Sequence, residues 1–375
     1  MTRPRLLIFS FSNISADARV LKQVKHFASE YDVTTCGYGP SPDPRVSHVR
    51  LDEDRGFRSW TRRDLVLRRF GRIYWSQPAI HQARDKLGQL ESFDVILAND
   101  IDTVGLALAL KPVHGVHADI HEYAPRQNEE LPVWRFFVAP YVRWMCRRFL
   151  PKAASMTTVG QGLADEYQRA YGVRAEVVTN ATPYVDLTAG QVHAPIRLVH
   201  SGVARRNRQL EVLIDALAES TNDITLDFYL IVNDAAYMAE LRARAAGSKR
   251  INFLDPVPYQ QLIGRLNEYD VGIAIFPPVT FNLEWCLPNK FFDYIQARLG
   301  LIIGPSPEML RLLEQHGVGA TSEDFDAASL TRVLDSMTAD EVSEWKSRAA
   351  EAAHALSSET QAPLWARAIS RMLEA

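Results

Sequence analysis

E-W-C-L-P-N-K-F-F-D-Y, residues 284–294, lies between two short apolar runs at 271–276 and 301–303. The first run ends in Pro277-Pro278, and the second is reached through Ile295-Gln296-Ala297-Arg298-Leu299-Gly300. Strand, loop, proline-opened helix, strand is the βαβ unit of a parallel sheet. Pro288 suits the first helical position, where its missing N–H has no partner to lose. The N–H groups of such a first turn form an anion site. Asn289 and Lys290 stand beside them, with the carboxylates Glu284 and Asp293 on either side. Phosphate donors with a carboxylate one turn on suit a ligand that is half phosphate and half polyol. An ordinary solvated strand-to-helix turn would contain the same residue types, so the decision rests on the remaining chain.

The alternation extends in both directions. Toward the N-terminus, strands are expected at 250–254, 225–232 and 196–201, with helices at 258–267, 235–246 and 208–218 between them. A polar, Gly- and Pro-containing segment at 187–195 has no periodicity and reads as a linker. Before it the pattern runs again, with strands at 6–11, 31–37, 93–98, 116–120, 155–159 and 175–178. The helix between the first two shows Val20, Leu21, Val24, Phe27 and Ala28 on one face, at helical spacing. Helices near 326–337 and 339–355 follow the opening stretch, and Ser357-Ser358 caps a last one at 359–373. The expectation is an α/β protein of two Rossmann-like domains, 1–187 and 188–356, with a C-terminal helix at 357–375. No glycine-rich dinucleotide fingerprint follows the first strand, which argues against NAD.

A chain of 375 residues exceeds what one core usually serves, in keeping with two domains. A formal net charge of −3 excludes a nucleic-acid binder driven by overall charge. Cys36, Cys146 and Cys286 lack metal-ligand spacing and suggest a reducing compartment. The apolar core of M-T-R-P-R-L-L-I-F-S-F-S is too short for a signal peptide, and no apolar run approaches the roughly 20 residues that span a bilayer. A cytoplasmic protein is expected.

Three further features invite a functional reading. Asn99-Asp100-Ile101-Asp102 ends a strand; its paired acids suggest a metal, but a helix cap with a polar cleft residue explains them as well. His121 follows the strand at 116–120 at the end where open α/β sheets bind ligands. Arginines and aromatics are interleaved at 55–72 and 131–149. The first stretch has Arg62, Arg63, Arg68 and Arg69 among Phe57, Trp60, Leu65 and Leu67; the second has Trp134, Phe136, Phe137, Tyr141 and Trp144. A solvated helix face and a core helix would account for much of this. The functional reading is peripheral contact with an anionic membrane.

Taken in order, S-N-I-S-A-D-A-R-V-L-K (12–22), A-N-D-I-D-T (98–103), D-I-H-E-Y-A-P (119–125), S-G-V-A-R-R-N-R-Q-L-E (201–211) and L-P-N-K-F-F-D-Y (287–294) resemble GT-B glycosyltransferases, most of all the retaining family four. The resemblance spans nearly the whole chain. It implies two Rossmann-like domains facing across a cleft, with the last helix crossing back to the first domain. It further implies a nucleoside-diphosphate sugar donor, a saccharide or lipid-linked acceptor, and no cofactor or metal. On this resemblance Arg208, Lys290 and His121 are the catalytic candidates. Gly202, Arg205, Arg206, Glu284, Pro288, Asn289 and Asp293 are implied at the donor, and Asn13, Arg19 and Asp100 at the acceptor. Asp293 replaces the more usual glutamate with a side chain one methylene shorter. Eight residues rather than seven separate it from Glu284, and Val203 stands where many members carry arginine. The implied work is surface polysaccharide or glycolipid synthesis at the inner face of the cell membrane. A sugar-nucleotide epimerase of the same architecture, or a binding protein that has lost transfer, would share these motifs.

Overall fold

The computed structural model describes residues 3–53 and 62–374. Arg55, Phe57, Arg58 and Trp60 of the first basic-aromatic stretch lie outside them. Two compact units are present, Met1–Thr179 with Gln361–Ala375, and Asn180–Thr360.

The first unit holds β1 (Arg5–Asn13), β2 (Asp32–Tyr38), β3 (Ser47–Arg50), β4 (Val95–Asn99), β5 (Val116–Ile120), β6 (Ser155–Thr158) and β7 (Glu176–Val177). They form one sheet in the order β3-β2-β1-β4-β5-β6-β7, with every pairing parallel. The second unit holds β8 (Ile196–Ala204), β9 (Ile224–Val232), β10 (Ile251–Leu254), β11 (Val271–Ala274), β12 (Gly300–Ile303) and β13 (Gly319–Thr321). Their order is β10-β9-β8-β11-β12-β13, again all parallel. Both are the doubly wound order, which reverses beside the first strand and opens a ligand crevice outside the strand ends. Strands covered on both faces read as unbroken apolar runs, as β11 (VGIA) and β12 (GLII) do, with every residue buried. The short edge strands β3 and β13 have no such signature and escaped the sequence reading.

Local chemistry sets the helix ends. Asp17 caps the helix Ala18–Phe27 by accepting from the N–H groups of Arg19 and Val20. Pro288 stands at the N-cap of Asn289–Gln296, one position earlier than expected. The helix expected from Arg208 begins at Glu211, because Arg206–Arg208 form a 3₁₀ turn ending in a left-handed Gln209.

The units divide at 179/180, whereas the sequence suggested 187/188. The intervening segment is tied to the second unit: Thr182 Oγ1 donates to Asp293 (2.6 Å) and Val185 N–H to Gln296 (3.1 Å). Arg298, itself buried, donates to the carbonyls of Val185 and Leu187. Composition marks this stretch as polar, but these hydrogen bonds decide where it belongs.

The last helix, Ser358–Glu374, supplies Ala362, Trp365, Ile369 and Met372 to the core of the first unit, against Leu6, Ile8, Val24 and Phe27. Trp365 is 2% exposed. Trp365→Ala is expected to lower the stability of this unit by about 3–5 kcal/mol, read as a shift in the denaturant midpoint; a change under about 1 kcal/mol would remove the helix from the core.

Candidate functional site

In the second unit the chemistry gathers where β8 and β11 end. Gly202, near the end of β8, holds φ +145°, and a Cβ there would stand 2.9 Å from Lys290 Nζ. Lys290 is the second residue of the helix Asn289–Gln296. Its Nζ lies 3.1 Å from His200 Nε2, while His200 Nδ1 lies 2.8 Å from the Ile273 carbonyl. A carbonyl only accepts, so the ring proton sits on Nδ1 and the Nε2 lone pair faces the ammonium. Burial and the adjacent Lys290 hold His200 well below its ordinary range, so it stays neutral. Burial, reinforced by Arg208, lowers Lys290 to about 7. The Arg208 guanidinium and the Lys290 ammonium each lie 4.9 Å from the centre of the same Phe276 ring.

These groups border a cavity of about 460 Å³. Arg205, Arg208, Asn289 and Lys290 form a cationic end, and Tyr229, Ile231, Val257 and Tyr259 contribute apolar and aromatic wall. Asp293 also lines it; its Oδ1 accepts from Thr182 (2.6 Å) and Tyr259 (3.1 Å). Gly202, Pro288 and Val203 complete the strand and helix ends.

Two expected donor residues are elsewhere. Arg206 turns to the helix Ala235–Arg244, donating to both oxygens of Glu240 (2.7 and 2.6 Å) and lying 3.5 Å from Asp234. The 3₁₀ turn splits the arginines, and Arg205 is the one that lines the cavity. Glu284 ends the short helix Phe281–Glu284, exposed and off the cavity lining; the extra residue before Asp293 leaves it there.

In the first unit, Asp119 on β5 is the centre of a buried network. Its carboxylate accepts from Arg19 (2.6 and 2.7 Å), Gln23 (2.6 Å), Thr157 (2.6 Å) and Trp365 (3.4 Å). Burial opposes its charge, but Arg19 and His121 hold it well below the usual carboxylate range. Arg19, expected at the acceptor, is buried; it also donates to the Val178 carbonyl at 2.8 Å. Its role is structural, and this corrects the expectation. His121 Nε2 lies 3.2 Å from Asn99 Oδ1 and 3.4 Å from Asp119, and Nδ1 lies 3.6 Å from Asp100. Burial would lower this imidazole, but Asp100 and Asp119 together raise it. Asp100 holds φ +62°, ψ 155°, a region essentially reserved for glycine and costing of order 1–3 kcal/mol. Such strain belongs to positions that the surroundings over-determine, here directly before the helix Ile101–Ala109. Asn13, at the end of β1, is exposed and accepts from Ser15 Oγ at 2.8 Å.

Residues 18–188 match the sequence profile of Glycosyltransferase Family 4, ending close to the first unit's own boundary. No curated protein sequence matches the chain. Among solved structures, sucrose-phosphate synthase from Thermosynechococcus elongatus superposes with a TM-score of 0.71 at 12% identity, over 99% of this chain and 100% of its own. HepE from Anabaena, in complex with UDP and glucose, gives 0.70 at 12%, over 98% and 100%. A glycosyltransferase from Rickettsia africae gives 0.71 at 10%, over 100% and 99%. The chain has the fold of these GT-B glycosyltransferases, and its first unit matches the profile of Glycosyltransferase Family 4. Identities this low speak for the fold of the second unit and not for its residues, which stand on their own geometry.

Sequence reasoning missed His200, Phe276, Tyr259 and Thr182. A polar residue within the apolar run 196–201, next to a glycine, was the available signal for His200. No helix among the described residues is long and apolar enough to cross a membrane.

The lowered position of Lys290 has a sign. Its ammonium is present below about pH 7 and is lost above it, whereas an ordinary lysine keeps its charge to about 10.4. A nucleoside diphosphate bound beside it must then draw a proton back. Affinity measured calorimetrically should fall between about pH 7.5 and 9, by up to about tenfold per unit, and Lys290→Met should abolish the slope. A flat profile in the unaltered protein would contradict this.

Proposed function

We propose that the protein transfers a sugar from a nucleoside-diphosphate sugar, a UDP-sugar in the first instance, to an acceptor hydroxyl with retention and without a metal. The observation that supports this best is the cavity in the second unit, with its cationic end and aromatic wall. It suits a diphosphate joined to a base and ribose. Arg208, Lys290, Arg205 and the helix start at Asn289 would hold the diphosphate, with Gly202 and Pro288 as backbone contacts and Asp293 toward the ribose. Structures of similar fold carry UDP and glucose, UDP-glucose or UDP-2-fluoro glucose, in support of that choice.

Transfer breaks the bond between the anomeric carbon and the diphosphate oxygen and forms a bond from that carbon to the acceptor oxygen. Positive charge grows on the sugar ring and negative charge on the departing phosphate. Fixed cations at the phosphate stabilise that change without rearranging, the service a divalent ion gives elsewhere. The acceptor's proton goes to the departing phosphate oxygen on the same face, so retention needs no enzymic base. In the first unit His121, held beside Asp100 and Asp119, is assigned to hydrogen-bonding with the transferred sugar. Asn13 and Asp100 would meet a saccharide or lipid-linked acceptor. We assign the work to surface polysaccharide or glycolipid synthesis in the cytoplasm, at the inner face of the cell membrane.

A thermal-shift screen of nucleoside diphosphates and their sugars tests the donor, since a ligand of the folded state raises the midpoint. UDP or a UDP-sugar should give the largest shift, and no shift with any of them would refute the reading. Arg208→Ala and Lys290→Ala should each lower turnover about a hundredfold with the circular dichroism unchanged; near-normal rates in both would displace the diphosphate from this cavity. Turnover should survive EDTA.

A further inference from the structure

The described part of the first basic-aromatic stretch, from Arg62 on, and the second stretch converge on one face of the first unit. The helix Arg62–Val66 packs against a single π-helical turn, Trp134–Val138. Behind this contact the Phe70 ring lies 5.9 Å from Tyr141 and 6.3 Å from Trp144. The structure sorts residues that the sequence could not. Leu65, Trp134, Val138 and Tyr141 are core, whereas Val66, Leu67, Leu131, Val133, Phe136 and Phe137 face outward. Those six are most of the eight large hydrophobic residues exposed among the described residues of this unit, the others being Leu90 and Val113. Val133 is 70% and Phe136 63% exposed. Arg62, Arg63, Arg68, Arg69 and Arg135 are exposed among them. Arg135 lies 5.1 Å from the Phe136 ring centre, and Arg69 lies 4.0 Å from the mostly covered Asp64.

A clustered apolar patch needs a cover, and its charge narrows the choice. A second copy set face to face would bring two sets of arginines together without their counter-charge. An anionic bilayer meets both demands, because it offers acyl chains to the apolar tips and phosphate or carboxylate headgroups to the guanidinium groups. We propose that this face docks on an anionic lipid surface, with Val66, Leu67, Val133, Phe136 and Phe137 entering the boundary and the arginines engaging headgroups. The inference deepens the membrane assignment above by naming the face and its lipid, and it stands whether or not the donor cavity is correctly read.

Flotation of the full chain with phosphatidylcholine vesicles, alone or with a third phosphatidylglycerol, provides the test. Binding is expected only with the anionic lipid, weakening steeply with salt. Arg62→Ala with Arg63→Ala should lower the partition coefficient tenfold or more at low salt, and Val133→Ser with Phe136→Ser should do the same. The thermal midpoint and its shift by UDP should stay unchanged in both variants. A loss of UDP response in the unaltered chain, with vesicle binding intact, would fault the donor reading alone. Absence of binding, equal binding to neutral vesicles, or unchanged partitioning in both variants would overturn the proposal. So would concentration-dependent self-association that Val133→Ser with Phe136→Ser abolishes, since that would make the face a contact between copies.

Discussion

Two cations share one phenyl ring. Arg208 and Lys290 both lie against Phe276, where low polarity strengthens their repulsion and weakens their hydration. The fold sustains this because the lysine yields: beside a neutral His200 and under burial, its ammonium is only marginally held. Such a site is complete only with an anion in it. The local architecture serves this end, from the side-chain-free approach at Gly202 to the helix start at Asn289, which directs N–H groups to the same place. Electrostatic stress of this kind suits the diphosphate site proposed above.

The first unit solves the opposite problem. Its buried charge, Asp119, is matched by Arg19 with two hydrogen bonds and by Gln23, Thr157 and Trp365 with the rest. Such a pair contributes little net stability, but leaving either partner alone would cost several kcal/mol. Its product is rigidity around His121, whose Nε2 faces Asn99 on β4 and Asp119 on β5 and whose Nδ1 faces Asp100. The strained backbone of Asp100 completes that setting. One unit thus matches its buried carboxylate with a guanidinium, and the other crowds two cations against one ring.

Most of the architecture was legible because parallel strands covered on both faces write themselves as apolar runs, and loops after them collect the polar residues. Asn289 and Lys290 stood out for the same reason, at a helix start after a strand, and Asp293 as a carboxylate one turn on; Arg208 was reached only through the resemblance. Arg206 and Arg19 were not, since their partners Glu240 and Asp119 are far along the chain and a guanidinium looks the same paired or open. His200 was hidden inside a strand that reads as core. The aromatic stretch at 131–149 shows the remaining limit. Helical spacing says that some of its rings are buried, but only packing against 62–70 decides that Trp134 and Tyr141 are and Phe136 is not.

The first unit is interrupted in sequence, and that has a consequence for how the chain is made. Trp365 and Ile369 are translated after every residue of the second unit, yet they join the core beside β1, and Trp365 touches the Arg19–Asp119 pair. On the ribosome the N-terminal sheet must therefore wait, with an apolar face uncovered, while the second unit can close on its own. Chaperone dependence during synthesis should concentrate on the earlier half of the polypeptide, although that half emerges first.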